Sequence, residues 1–201
     1  MENYKKLIGS ITIITFSYAA SRVLGFFREI LLANWAGVSE ATDTLDLAFI
    51  IPDFLFYLSA GGYLAITLIP IMSEKKKSEL NNYFLSILYG MSLIFIIFSL
   101  ITYLFRFKFA ELLGVTSLDF FVEVFTPIIF SQVFFFVGAI LMSYQYFHDN
   151  FKYAAIAPVV YNSTIIFFGW INSSTPEGTI KGFAIGTLIG SVLGHFLIQI
   201  Y

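Results

Sequence analysis

Two arginines, Arg22 and Arg28, and the acid Glu29 stand inside a long apolar run that begins near Leu7. Three more carboxylates, Asp43, Asp46 and Asp53, punctuate the next run. An arginine near the bilayer centre costs about 2.5–3.5 kcal/mol on insertion scales, and such a charge normally faces a cavity or a partner. The guanidinium is a planar fork that binds phosphate or carboxylate oxygens bidentately and stays protonated at any working pH. These residue types at these depths point to a cavity that receives an anion. The plainer alternative is that Arg28 and Glu29 neutralise each other or snorkel to the outer interface. It leaves Arg22 unexplained, roughly 22 Å along a helix from Leu7 at about 1.5 Å per residue and without a charged neighbour one turn away. In a straight helix a separation of six residues points the two arginines about 120° apart. Gly25 between them is expected to loosen the helix and let both reach one cavity.

Spacings of three and seven place Asp46 on one helix face with both Asp43 and Asp53. Read functionally, this is an acidic stripe facing Arg22 and Arg28, forming pairs that open when an anionic ligand competes. The alternative for Asp43 is a first-turn position, where Thr42 or Asp43 caps the helix and meets its dipole. Pro52, Gly61, Gly62 and Pro70 interrupt the same run, and broken helices at membrane depth are tolerated where they line a cavity.

Other polar residues carry less. Asp119 and Glu123 read as solvated residues at the outer interface, and Gln132 and Asn162 as buried groups that join helices. His148 sits in an inner loop beside Asp149, and His195 is alone in the last apolar run. With 2 histidines and 0 cysteines, neither a metal nor another cofactor is expected. No Ser–His–Asp or paired-carboxylate arrangement stands out, so the chain does not read as an enzyme. Gly178, Gly182, Gly186, Gly190 and Gly194 recur every four residues. Small residues at that spacing let helix backbones approach closely, so the stripe reads as a packing seam, within this unit or against another copy.

The elements that must position these residues follow from composition. Of 201 residues, 58% are hydrophobic and 12% charged, against about 45–50% and about 25% in soluble domains. Half the usual charge cannot cover a water-facing surface, so this is an integral membrane protein. Polar clusters divide it into six apolar segments, at 7–33, 41–72, 80–105, 120–147, 153–171 and 179–201, each near the length a membrane-spanning helix needs. A barrel would alternate apolar and polar residues, whereas LIFIIFSLI at 93–101 does not. The expected fold is an all-α, polytopic transmembrane bundle of six helices, one lobe over 1–201, with no room for a soluble catalytic domain. Lys5, Lys6, Lys75, Lys76, Lys77 and Lys152 fall on one side and Arg106, Lys108 and Lys181 on the other, which puts both termini in the cytoplasm. The first apolar run continues into a full span without a signal-peptide cleavage site. A net charge of −2 does not suggest nucleic acid as a partner.

SRVLGFFREILLANWAGVSEATD at 21–43 resembles the first helix and loop of the MurJ/MviN lipid II flippases, a family of the multidrug/oligosaccharidyl-lipid/polysaccharide exporter superfamily. The likeness continues in IPDFLFYLSAGGYLAITLIPIMSE at 51–74 and VGAILMSYQYFHDNFKYAAIAPVVYN at 137–162. It fades in the sixth span, where Gln199 and the small residues match. The resemblance implies a multi-pass protein of the bacterial inner membrane that moves an undecaprenyl-diphosphate-linked cell-wall precursor to the outer leaflet by alternating access. It implies that Arg22 and Arg28 engage the precursor's diphosphate, and that Ser21, Glu29 and Asp43 belong to the cavity or its gate. Where the family usually carries a pair of arginines this chain has Phe56 and Tyr57, and where it has Glu-Gly this chain has Gly61 and Gly62.

The resemblance reaches only the first of the family's two six-helix lobes. Since one lobe cannot rock alone, the second lobe is expected from a second copy, from a separately encoded C-terminal half, or from the rest of a longer protein of which this sequence is an excerpt. The other expected partners are membrane lipid and a lipid-linked saccharide. The competing readings are a flippase for another lipid-linked polysaccharide, a cation-coupled exporter of small molecules, and a non-transporting subunit of a larger exporter.

Overall fold

The computed structural model describes the backbone of residues 2–59 and 63–200 and the side chains of most of them. Gly61 and Gly62, and the side chains of Phe56 and Tyr57, lie outside the described residues. Every regular element of the described chain is a helix, as the spanning segments must be where no water is available to the backbone. Its helices are α1 (Glu2–Trp35), α2 (Glu40–Ser59), α3 (Tyr63–Ser73), α4 (Lys77–Leu104), α5 (Arg106–Leu112), α6 (Leu118–Phe147), α7 (Lys152–Ile171) and α8 (Pro176–Gly190). The last continues into a wide π-helical turn, Ser191–Phe196, and a tight 3₁₀ turn, Leu197–Ile200. Among the described residues, four segments are long and apolar enough to cross a membrane: α4, α6, α7 and the stretch Pro176–Ile200.

Local chemistry sets several boundaries. α1 stops where Gly37, at φ 65°, donates its N–H to Ala33 O at 3.1 Å, a left-handed helix end that glycine reaches without strain. Ser39, rather than Thr42 or Asp43, caps α2: its Oγ accepts from the Thr42 N–H at 3.3 Å. Pro176 opens α8, and Thr175 Oγ1 accepts from Gly178 N at 3.0 Å, the favoured chemistry for that end.

α6 is the axis of the bundle, with α2, α3, α4 and α8 packed around it. Phe121, Val124, Phe125, Ile128, Ile129 and Ile140 on α6 are fully buried. α4 lies outermost and exposes Leu93, Ile94, Ile97 and Leu104, which in a bilayer meet acyl chains rather than water.

The second apolar run supplies α2 before and α3 after residues 60–62. The structure adds two features to the sequence reading. The connection after α4 contains α5, whose Ala110 is fully buried. The last run changes its winding at Ser191.

The glycine repeat meets α7 of the same chain. A Cβ at Gly186 would lie 2.7 Å from Ile165 Cα and one at Gly194 2.6 Å from Ala157 O, while one at Gly182 would strike the Phe168 carbonyl. At Gly190 the nearest atom is Tyr161 O, at 3.0 Å, and at Gly178 it is Asn172 O, at 2.6 Å. Backbone meets backbone along this seam, and its place is inside the unit rather than between copies.

Candidate functional site

Among the described residues α1 leans on α7 and α2 on α6, and α1 and α2 do not pack against each other. The divergence leaves a cavity of about 380 Å³ bounded by α1, α2, α7 and α8. α1 contributes Arg28, Glu29 and Leu32, and α2 contributes Leu45, Asp46, Phe49 and Asp53. Tyr161 and Ile165 from α7 and Phe183 and Thr187 from α8 complete it. Glu29 and Leu32 are three residues apart, and Asp46, Phe49 and Asp53 follow at three and four, so most of each helix's contribution comes from one face. One guanidinium stands among three carboxylates, a formal charge of +1 against −3. A smaller hollow of about 340 Å³ adjoins it, sharing Glu29 and Asp46 and adding Thr42 and Asp43. Glu29, Asp43, Asp46 and Asp53 therefore form a continuous acidic border along the gap.

Arg28 is the best-held charge. Its Nε and Nη2 donate to Glu29 Oε1 at 3.1 and 2.6 Å, and its Nη1 donates to Asn162 Oδ1 at 3.2 Å. The Arg28 side chain is 28% exposed and that of Glu29 56%. The expectation that the acids of the second run pair with the arginines is not met. The ion pair of Arg28 is with its own neighbour, and Asp43, Asp46 and Asp53 are exposed without a hydrogen bond or ion pair among the described residues.

Arg22 and Arg28 do not converge on one described cavity. α1 runs unbroken through Gly25, so the arginines keep the angular separation that an intact helix imposes. Arg22 is exposed and lines none of the described hollows, and Ser21 beside it is half-buried. Gly25 does not bend the helix, and a Cβ there would meet Asn162 Oδ1 at an ordinary 3.9 Å.

The remaining polar residues are structural in placement. Glu123 pairs with Lys181, tying α6 to α8, with both side chains about half exposed. His195 packs beside Phe135, ring centroids 4.5 Å apart, and His148 Nδ1 lies 2.9 Å from Tyr144 O. Gln199 donates to Tyr153 O at 3.3 Å, and Gln145 donates to Gln199 O at 2.9 Å. Among the described residues no three histidines or carboxylates come together to hold a metal. Sequence reasoning missed Phe49, Tyr161 and Thr187 as cavity residues, since single aromatic or hydroxyl side chains in apolar runs carry no pattern of their own.

A family model described as lipid II flippase MurJ matches residues 32–201. The lipid II flippase MurJ of Thermosipho africanus is 32% identical over 194 residues, covering 92% of this chain and 40% of the relative. The lipid II flippase MurJ of Burkholderia cenocepacia is 42% identical over 59 residues, covering 29% of this chain and 11% of the relative. A solved structure, lipid II flippase MurJ in its inward closed conformation, superposes with a TM-score of 0.77 at 29% identity, covering 93% of this chain and 41% of that one. The chain thus spans about two fifths of the length of the relatives it matches along most of its own.

Proposed function

The chain belongs to the lipid II flippase MurJ family, and from that premise we propose that it forms the N-terminal lobe of a flippase. Its substrate is an undecaprenyl-diphosphate-linked cell-wall precursor such as lipid II, carried across the bacterial inner membrane by alternating access. The lobe comprises six spans over residues 1–201, α2 and α3 together making the second, with both termini in the cytoplasm. It acts by transport rather than by chemical conversion. A second lobe closes over the open side of α1 and α2.

The observation that carries this reading is a guanidinium held in a polar hollow among helices whose outer faces are apolar. Arg28 lies about 10 Å along α1 from Trp35, at about 1.5 Å per residue, which is within the hydrocarbon core of a bilayer about 30 Å thick. A diphosphate competes with Glu29 for the Arg28 fork, because phosphate oxygens accept the same bidentate hydrogen bonds with more charge. The surrounding Glu29, Asp46 and Asp53 oppose a second anion, so binding stays weak enough for release. A carrier needs both properties. Arg22, about 9 Å nearer the cytoplasmic end of α1 and on another face, meets the diphosphate at a different stage. Ser21 and Asp43 belong to the two ends of that path.

One observation favours a second reading, a flippase for another lipid-linked saccharide. Phe56 and Tyr57 stand where the resemblance leads one to expect arginines, which removes cationic ligands from the same site. The test is complementation of a strain depleted of its lipid II flippase, with Arg22→Ala and Arg28→Ala as variants and membrane levels followed by immunoblot. The lipid II reading requires that the wild-type chain, with its second lobe, restores growth and both variants fail at normal abundance. Failure of the wild-type chain, with binding of another polyprenyl-diphosphate saccharide intact, moves the function to the second reading. Co-purification with a larger exporter and tolerance of both substitutions would make the chain a non-transporting subunit.

A further inference from the structure

Asn162 is 7% exposed and makes two hydrogen bonds of unlike kind. Its Nδ2 donates to Pro158 O, one turn back on α7, at 2.9 Å. Its Oδ1 accepts from Arg28 Nη1 on α1 at 3.2 Å. The first bond fixes the amide's orientation, since an oxygen turned toward Pro158 O would face another acceptor. The second therefore presents an acceptor to Arg28 from the opposite wall. On the far side of this contact the α1–α7 groove turns apolar, lined by Leu24, Phe27 and Leu31 against Ile166 and Phe167.

Glu29 alone does not determine where the Arg28 fork points. Adjacent residues on a helix diverge by about 100°, and the Glu29 side chain is 56% exposed, so that pair is free to swing toward solvent as a unit. Asn162 is anchored to its own backbone and cannot follow. Of the five N–H donors of a guanidinium, Glu29 takes two and Asn162 one, which leaves one N–H on each terminal nitrogen for a ligand. We propose that Asn162 is a positioning residue, holding the Arg28 guanidinium against α7 so that its free donors face the cavity. A neutral amide suits the task, because a carboxylate there would add a fourth negative charge and saturate the cation. The value of this positioning for an anionic lipid rests on the function proposed above, whereas the positioning itself does not.

Two measurements on the purified chain in nanodiscs separate the two claims. The first needs no ligand: the rate of Arg28 modification by phenylglyoxal, followed by peptide mass spectrometry, with Arg106 as internal control. Asn162→Leu is expected to speed labelling of Arg28 several-fold and leave Arg106 unchanged, whereas Asn162→Gln, which keeps the acceptor, recovers part of the protection. The second is binding of a fluorescent polyprenyl diphosphate, expected to weaken about tenfold in Asn162→Leu but not to weaken further when that change is added to Arg28→Ala. An unchanged Arg28 labelling rate in a variant with unaltered thermal stability would overturn the proposal. So would a full effect of Asn162→Leu on binding in the absence of Arg28. Faster labelling together with no probe binding by the wild-type chain would uphold the positioning and defeat the diphosphate reading instead.

Discussion

The α7–α8 seam and the α1–α2 gap lie within one bundle and follow opposite rules. Along the seam side chains are removed, and backbone packs on backbone from Asn172 to Ala157. Across the gap the helices diverge, and among the side chains between them are the paired Arg28 and Glu29 and the exposed, unpaired Asp43, Asp46 and Asp53. A membrane supplies little hydrophobic drive to hold helices together, so close packing of small residues must do it. Concentrating that packing on α7 and α8 gives a rigid wall, against which Arg28 is held by Asn162. The opposite wall, α2, packs on α6 and α8 and turns Asp46 and Asp53 into the gap. Rigidity on one side is what makes the charges on the other usable.

The largest effect expected from breaking this contrast is at the seam. Gly182→Leu places a side chain against the Phe168 carbonyl, and overpacking of this kind costs about 3 kcal/mol or more when the obstacle is backbone. Loss of folded protein in detergent, followed by thermal unfolding, is the expected result. An unchanged melting temperature would mean the seam can open.

Next is the gap. Arg28→Ala removes charge-assisted hydrogen bonds worth about 1.5–3 kcal/mol, so affinity for a polyprenyl diphosphate should fall between about tenfold and about a hundredfold while thermal stability holds. Stability falling in step with binding would make Arg28 a structural residue.

A smaller change acts in the other direction. Gly90 on α4 has no atom within 4 Å of an added Cβ. Gly90→Ala is expected to raise stability by up to about 1 kcal/mol, through helix propensity alone. The same change at Gly186 should lower it, since Ile165 Cα stands 2.7 Å away. Equal effects at the two glycines would mean that the seam packs no more tightly than the outer face of α4. Smallest is Lys181→Ala at the half-exposed pair with Glu123, about 0.2–1 kcal/mol, decreasing further as salt is added.

Much of this was legible before any coordinates. The apolar runs mark helices because a bilayer permits little else, and the period of four marks a seam because only small residues permit backbone contact. The depth of Arg28 and Glu29 marks a site because charge there needs a reason. What remained hidden depends on distance along the chain. Arg28 and Asn162 are separated by 134 residues, and nothing local to either indicates the other. The partner of the glycine stripe was equally open until the topology placed α8 on α7. Arg22 shows the opposite failure. One pocket for Arg22 and Arg28 requires a bend at Gly25, and an unbroken α1 leaves them on separate faces. RFKFAEL at 106–112 reads as a connection because its single turn or two carry no periodicity long enough to detect.

The wide turn at Ser191–Phe196 has a consequence for the phase of the last helix. Four residues of ordinary α-helix overshoot a full circle by about 40°, so each successive glycine from 178 to 190 rotates further in the same sense. A π turn, with its larger ring, undershoots instead and winds part of that drift back. Gly194 consequently still meets Ala157 O, while the His195 carbonyl, one residue on, reaches the bare flank of Gly138 on α6. The irregular turn works as a vernier between two neighbours, setting α7 and α6 in step at a place where a uniform helix could match only one of them.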